Sequence, residues 1–162
     1  MPASLQMRIE PAITGDVPLI VALVTELAEF ERLAHEVRID ADRLHEHLFG
    51  PRPYAEAAMV RLGTETVGFA LWFHNYSTFL GQPGLYLEDL YVQPHHRGSG
   101  LGKALLEHLG ALAVERDCGR FEWSVLDWNE TAIGFYQRMG AQVMPDWRIC
   151  RVAGDALEQF RR

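Results

Sequence analysis

The chain has 162 residues, of which 48% are hydrophobic and 23% charged, values typical of one globular domain with a substantial core. Its formal net charge of −7 argues against a general nucleic-acid binder, because phosphate contacts need a basic face. No apolar run is long enough for a membrane span, no secretory signal pattern opens the chain, and Cys118 and Cys150 fit no disulfide framework. We therefore expect a single domain over residues 1–162, cytoplasmic, with neither nucleic acid nor a membrane as partner.

The N-terminal third predicts one strand and a helix. Residues 7–12 alternate weakly and favour a strand, and an apolar periodicity over 18–30 predicts a helix that Thr14 or Asp16 can cap. Acidic residues crowd between positions 26 and 42. They fit either a solvated helix face or a surface that binds cations, and the sequence leaves both alternatives open.

The middle of the chain predicts a second helix and a hairpin. The helix covers 42–49 and ends at a Gly-Pro pair. Strands over 57–62 and 66–74 are joined around Gly63, and residues 75–83 are expected to form a loop.

The second half of the chain alternates strands and helices. We predict strands over 85–92, 121–126 and 147–152, and helices over 101–117 and 131–139. No repeat or linker interrupts this order, so the sequence indicates one α/β domain.

A glycine-rich loop joins the strand at 85–92 to the helix that follows it. Its sequence is Arg97-Gly98-Ser99-Gly100-Leu101-Gly102-Lys103. The first amides of a helix lack intrahelical acceptors and lie at its positive end, and glycine lets a ligand approach the backbone closely. The loop is therefore a candidate cradle for a phosphate or pyrophosphate, with a plain glycine turn as the alternative. The spacing fits neither a Walker A loop nor a dinucleotide fingerprint.

Two motifs carry a family resemblance. The Arg-x-x-Gly-x-Gly pattern of residues 97–102 resembles the acetyl-CoA loop of the GNAT family of N-acetyltransferases, and the Asn-x-x-Ala-x-x-Phe-Tyr-x-x-x-Gly-Ala pattern of 129–141 is similar to a second family motif. Further segments, at 26–31, 86–92, 128–130 and 147–148, resemble the diamine (spermidine/spermine) N1-acetyltransferase branch and its thialysine-acetylating relatives. The resemblance implies a single-domain α/β fold with a mixed, mostly antiparallel sheet flanked by helices. It also implies acetyl-CoA as cosubstrate and a homodimer.

The resemblance assigns roles to individual residues. It implies cofactor contacts from the end of the strand at 85–92, from the glycine loop and from the second motif: Leu90, Tyr91, Val92, Arg97, Gly98, Ser99, Gly100, Leu101, Gly102, Lys103, Asn129 and Tyr136. It implies acceptor contacts at Glu31, Glu88, Asp89 and Trp147. Tyr136 is the predicted proton donor to the leaving thiolate, and Glu88 or Asp89 the predicted partner of the amine, with Glu88 assigned to catalysis. Because neighbouring strand residues point to opposite faces, only one of those carboxylates should face the acceptor unless a bulge intervenes.

Adjacent histidines, His95 and His96, precede the glycine loop. Without a third ligand spaced nearby they do not indicate zinc, so we expect no metal.

The expected function is transfer of an acetyl group from acetyl-CoA to a primary amine, a polyamine or diamine in the first instance. The first alternative is acetylation of thialysine or another amino-acid side chain. The second, of a different class, is a non-catalytic acyl-CoA-binding sensor domain.

Overall fold

The computed structural model describes residues 6–162, which divide into an N-terminal unit ending at Ser124 and a C-terminal unit, Val125–Arg162. The N-terminal unit contains β1 (Met7–Pro11), α1 (Val17–Phe30), α2 (Ala41–Phe49), β2 (Glu56–Leu62), β3 (Glu65–Ser77), β4 (Gln82–Val92), α3 (Leu101–Glu115) and β5 (Arg120–Trp123). The C-terminal unit contains α4 (Glu130–Arg138) and α5 (Asp155–Glu158). Short 3-10 turns cover Thr14–Asp16, Ala34–Glu36 and Pro94–His96. The expectation of one domain over residues 1–162 stays a prediction.

The five strands form one mixed sheet in the order β1-β2-β3-β4-β5. The first three pairings are antiparallel, and only β4 and β5 run parallel. This is the mixed, mostly antiparallel sheet flanked by helices that the sequence predicts, and the predicted fold class is confirmed.

Helices cover both faces of this sheet. Tyr91 of β4 joins a buried cluster with Ile20 and Leu23 of α1. The neighbouring residue Leu90 lies against Gly102 of α3, where an added Cβ would come within 4.0 Å of the leucine side chain. Because neighbouring strand residues point to opposite faces, α1 and α3 pack on opposite sides of β4.

Two helices begin at a residue whose side chain caps them, whereas Asp16, at the N-cap position of α1, makes no capping hydrogen bond with its side chain. Asp40 caps α2 by accepting a hydrogen bond from the backbone N–H of Arg43 at 2.9 Å, and Asn129 caps α4 by accepting one from Ala132 at 3.2 Å. Gly100 precedes α3 with a φ of 83°, a left-handed conformation that glycine adopts without steric cost. The four predicted helices agree with α1 to α4 within two residues at each end.

The β3–β4 pairing contains an irregularity. Leu71 pairs with Asp89 and Trp72 pairs with Leu87, so Glu88 has no partner in the opposite strand. A bulge of this kind breaks the regular alternation of side chains. The sequence prediction allowed both Glu88 and Asp89 to face the acceptor only if a bulge intervened, and the structure has a bulge at this position.

Three boundaries differ from the sequence predictions. The expected loop over 75–83 is instead the tip of a long hairpin, because β3 continues to Ser77 and β4 begins at Gln82. A turn closes this tip, with the N–H of Gly81 donating to the carbonyl of Ser77 at 2.8 Å. The strand expected over 121–126 covers only Arg120–Trp123, since its pairing with β4 ends at Leu87.

The strand expected over 147–152 is not formed. Within the C-terminal unit, all of which the structure describes, no strand lies beside these residues, and a strand needs a neighbour for its backbone hydrogen bonds. Across residues 6–162, no helix has the length and apolar character that crossing a membrane requires.

Candidate functional site

An acidic pocket with apolar walls opens beside the C-terminal end of α1. Its volume is about 150 Å³. Its lining residues are Val24, Leu27, Ala28, Glu31, Leu33, Glu36, Val37 and Asp89. Three are carboxylates and none is a lysine, arginine or histidine. A pocket of this composition suits an aliphatic cation, because the walls contact its carbon chain while the carboxylates balance its charge.

Asp89 is the most strongly perturbed acid of this pocket. Burial, and after it the negative charges of Glu88 and Glu31, together raise the pKa of Asp89 to about 6. Tyr91, two residues further along β4 and therefore on the same face of the strand, packs against α1, which agrees with the position of Asp89 in the pocket lining. Asp89 is therefore a carboxylate for which a bound cation would relieve an electrostatic cost.

Glu88 differs from Asp89 in both exposure and location. Its side chain is exposed and is not part of the pocket lining. The bulge leaves Glu88 without a partner in β3. The catalytic role assigned to Glu88 stays a prediction, and the geometry favours Asp89 as the carboxylate next to an acceptor.

Two further acids of the acidic run have defined surroundings. Burial raises the pKa of Glu31, which lies just after α1 in the pocket wall. Glu26, one turn earlier, instead accepts hydrogen bonds from the Tyr91 hydroxyl at 3.0 Å and from the Gln93 amide at 3.4 Å. The run between 26 and 42 is thus divided: Glu31 and Glu36 line the pocket, whereas Glu26 holds α1 to β4.

The glycine loop has the open backbone that a phosphate cradle requires. Gly98 and Gly100 have φ angles of 78° and 83°, and a Cβ built on either would meet no atom within 4 Å. The carbonyl of Gly100 accepts the first hydrogen bond of α3, from Ala104 at 2.9 Å. The amides of the intervening residues consequently have no acceptor in the helix. The loop therefore fits the pyrophosphate of a nucleotide-like cosubstrate such as acetyl-CoA.

Arg97 anchors the start of this loop. Its Nε donates to the carbonyl of Val92 at 2.9 Å, and its guanidinium lies 4.6 Å from the ring centre of Phe30 and 5.5 Å from that of Tyr91. Cation–π contacts of this kind fix a guanidinium over an aromatic face. Arg97 thus ties the loop to both β4 and the end of α1.

The end of β4 offers a free edge. The pairing with β5 stops at Leu87, because β5 ends at Trp123. Among the described residues, no strand pairs with 88–92 on that side. An extended amide-containing chain can add itself to such an edge, as the resemblance implies for Val92. The cofactor contacts expected of Leu90, Tyr91 and Val92 stay predictions.

The other predicted loop residues have structural partners. Ser99 donates its hydroxyl to the carbonyl of His96. Leu101 is buried in the core, and the Lys103 ammonium lies 3.9 Å from Glu107 one turn later on α3. The roles of these three residues as cofactor contacts stay predictions.

The C-terminal unit carries the remaining predicted residues. Asn129 uses its side-chain oxygen as the cap of α4. The Tyr136 ring lies 5.5 Å from that of Phe135, with which it shares the second motif. Trp147 is 78% exposed. The predicted roles of these residues rest on the sequence motif.

Part of the pocket and one acid elsewhere are not predictable from the sequence motifs. The apolar wall and Glu36 belong to α1 and to the irregular segment that follows it in the chain. In this region the acidic run was the only sequence feature that pointed to a binding site. Glu65 lies close to His95 and His96, although it is distant from them in sequence.

Residues 21–141 match the family model described as "Acetyltransferase (GNAT) family". The chain is 35% identical to the L-ornithine N5-acetyltransferase of Arabidopsis thaliana, over 93% of this chain and 86% of that protein. It is 34% identical to the thialysine N-epsilon-acetyltransferase of Mus musculus, over 94% and 96% of the two chains. Identity to the human spermidine/spermine N(1)-acetyltransferase-like protein 1 is 32%, over 83% of this chain but only 20% of that protein.

A solved structure shares the fold. The integron cassette protein of Vibrio cholerae superposes with a TM-score of 0.79 and 22% identity, covering 94% of this chain and 96% of the other. At that identity the likeness concerns the architecture alone.

Proposed function

Since the chain belongs to the acetyltransferase (GNAT) family and is an N-acetyltransferase, we propose that its acceptor is a small aliphatic cation with a second positive charge. Acetyl-CoA, the cosubstrate of this family, supplies the activated acetyl group. The terminal primary amine of the acceptor takes it up.

The observation that carries this proposal is the acidic pocket. Glu31, Glu36 and Asp89 line one small space whose other walls are apolar. Ornithine, thialysine and the diamines all combine a short flexible chain with two ammonium groups. Any of the three carboxylates can bind one of these ammonium groups while the carbon chain of the acceptor contacts the apolar wall.

The chemistry requires a base and an acid. An alkyl amine attacks only as the free base, yet its pKa in water is above about 10. Asp89, with a pKa of about 6, is ionised at pH 7.5 and can hold the ammonium group and accept its proton directly or through a water molecule. The new N–C bond then forms as the C–S bond breaks. By the resemblance, the Tyr136 hydroxyl gives its proton to the departing sulfur.

Two classes of acceptor fit this proposal, and different observations favour them. The relatives named for ornithine and thialysine match this chain over most of their length, which favours an amino-acid side-chain amine. The pocket lining contains no cationic side chain that could pair with an amino-acid carboxylate, which favours a diamine or polyamine. Among the relatives, the one named for spermidine/spermine supports the predicted diamine branch less well, because the match covers only 20% of that protein.

A CoA-release assay at pH 7.5 separates these classes. The panel comprises ornithine, thialysine, lysine, putrescine, spermidine and spermine, with butylamine as a matched acceptor of a single charge. We expect at least one dication to exceed butylamine in kcat/KM by about fivefold or more, the worth of roughly one partly exposed ion pair. Equal turnover of butylamine would contradict the role given to the second charge. Acetyl-CoA binding without turnover of any amine would favour the sensor domain.

We further propose that the chain forms a homodimer. The hairpin tip of the N-terminal unit exposes three apolar side chains, Tyr76, Phe79 and Leu80, and Phe79 is fully exposed. Clustered apolar exposure of this kind marks interaction surfaces. Light scattering at micromolar concentration should give twice the chain mass of 18.4 kDa, and Phe79→Ser should lower it. A monomer for the unsubstituted protein would refute the dimer.

A further inference from the structure

Three side chains that can ligate metal ions converge where β3 begins and β4 ends. They are Glu65, His95 and His96. The Nε2 of His96 lies 3.5 Å, and that of His95 3.9 Å, from the same carboxylate oxygen of Glu65. One ligand atom from each residue lies within 4.8 Å of the other two. This cluster is separate from the acidic pocket, with which it shares no residue.

Within this cluster, His96 has a ring nitrogen that lacks a partner. Its side chain is only 18% exposed, and its Nε2 is buried with no hydrogen-bond partner among the described residues. At 3.5 Å, Glu65 is too far for a good hydrogen bond. A buried polar atom left unpaired costs free energy, and native structures rarely leave one without a partner, an ion or a water. A cation held between His96 and Glu65 would satisfy this nitrogen.

The spacing suits a transition-metal ion. Zinc binds imidazole nitrogen and carboxylate oxygen at about 2.0–2.2 Å, so two ligand atoms in a tetrahedral site lie about 3.4 Å apart. His96 and Glu65 already have this separation at 3.5 Å. His95 and Glu65 are 66% and 58% exposed, so both side chains have room to close their 3.9 Å gap. We infer that Glu65, His95 and His96 form a site for a divalent transition-metal ion such as Zn²⁺, with water in the fourth position.

The site adjoins the glycine loop through the backbone. Ser99 donates to the carbonyl of His96, and the N–H of Gln93 donates to the carbonyl of Val67 at 2.9 Å. An ion ligated by both histidines and Glu65 would join the start of β3 to the segment that leads into the loop. It would therefore stabilise the folded chain in proportion to its occupancy. This proposal revises the expectation of no metal, which rested on the histidine pair alone.

Calorimetric titration of the tag-free protein with ZnCl₂ tests the inference, and Co²⁺ absorption spectra report the ligand geometry independently. The test variants are Glu65→Gln and His95→Gln, both at exposed side chains where folding should survive, as circular dichroism can verify. The matched control is His35→Gln. His35 lies 3.4 Å from Glu36 as an exposed histidine–carboxylate pair, and the residues described include no third ligand beside it.

We expect one Zn²⁺ per chain, with affinity lowered at least about tenfold by either test variant and unchanged by the control. The Co²⁺ spectrum should be lost in the same two variants. Absence of saturable binding in the unsubstituted protein would overturn the inference. So would equal affinity in Glu65→Gln, or an equal loss in His35→Gln.

Discussion

The two units of the chain differ in how they are held together. The N-terminal unit buries many apolar residues, including Ile20, Met59, Phe69 and Leu105, each with no more than 2% of its surface exposed. In the C-terminal unit, every residue of which the structure describes, none is buried, and Trp147 is 78% exposed. Burial of apolar surface is the main stabilising term in folding. The N-terminal unit therefore has the core of a stable domain, whereas the C-terminal unit has helices without one.

This difference separates two kinds of function. The N-terminal unit holds the glycine loop and the acidic pocket. The loop depends on a fixed backbone conformation, and the pocket depends on side chains that are partly buried. The unit without buried residues holds Tyr136, whose proposed role needs one hydroxyl. Substitutions in the first unit should therefore alter binding or stability, whereas the substitution of Tyr136 should alter the chemical step.

The largest effect is expected for Tyr136→Phe, which removes the proposed proton donor and keeps the ring. General acid catalysis contributes about a hundredfold to ten-thousandfold, or roughly 3–5 kcal/mol of barrier. We expect kcat to fall by this factor, with little change in acetyl-CoA affinity. Tyr54→Phe, at a side chain that is 73% exposed, is the control. Near-normal kcat in Tyr136→Phe, with chemistry shown to limit the rate, would exclude the role.

The next effect concerns stability and its dependence on pH. The folded protein binds the Asp89 proton more tightly than the unfolded chain does, since the pKa of Asp89 rises to about 6 in the fold. Protonated Asp89 therefore contributes its full share to the free energy of unfolding below about pH 4, and this contribution is lost as the pH rises through 6. Asp89→Asn should thus raise the free energy of unfolding at pH 8 by up to about 3 kcal/mol.

Urea unfolding at pH 8 and at pH 4 measures this prediction. The gain from Asp89→Asn should shrink towards zero at the lower pH. Glu88→Gln, at the exposed neighbour, should give a much smaller change at either pH. A stabilisation that is the same at both pH values would show that the buried charge is not its source.

An intermediate effect on binding is expected at the glycine loop. Gly102 lies in the first turn of α3, and an added Cβ would make only an ordinary contact, at 4.0 Å from Leu90. Gly102→Ala should therefore fold normally. Its methyl group would crowd the backbone amides, and the loss of one charge-assisted hydrogen bond would lower acetyl-CoA affinity by about tenfold or more.

Gly110→Ala is the matched control on the same helix. Its Cβ would meet Phe121 at 3.9 Å, again an ordinary contact, far along α3 from the loop. Both alanines should keep or slightly raise stability, because alanine favours helix more than glycine by up to about 1 kcal/mol. Calorimetry that finds equal acetyl-CoA affinity in the two variants would remove the loop from the cosubstrate site.

The smallest effect is expected for Glu31→Gln, in the wall of the acidic pocket. Partly exposed ion pairs contribute about 0.2–1 kcal/mol, so KM for the dicationic acceptor should rise about twofold to fivefold with kcat retained. Added salt should shrink the difference, because screening weakens such pairs. Glu29→Gln is the control, at an exposed residue outside the pocket lining. Equal KM values in the two variants would remove Glu31 from the acceptor site.

What the sequence predicted well was local. The strand, glycine loop and helix around Gly100 follow from residue types within one short stretch. What it missed depends on residues distant in sequence. The bulge at Glu88 is a property of the register between two strands.

The remaining differences have the same origin. Alternation of apolar residues at 147–152 favoured a strand, but the C-terminal unit contains no strand to pair with it. Glu65 could not be linked to the histidine pair because only the β3–β4 pairing brings them together. The pocket likewise combines a helix, an irregular segment and one strand residue.

The most direct test of the account is the pKa of Asp89, measured by carbon-detected NMR with and without an acceptor. The free protein should show a carboxyl pKa of about 6. Saturation with putrescine or ornithine, whichever is turned over, should lower this pKa, because a cation beside the carboxylate favours its ionised form. An Asp89 pKa that is unchanged by a bound, productive acceptor would contradict the assignment of the acidic pocket as the amine site.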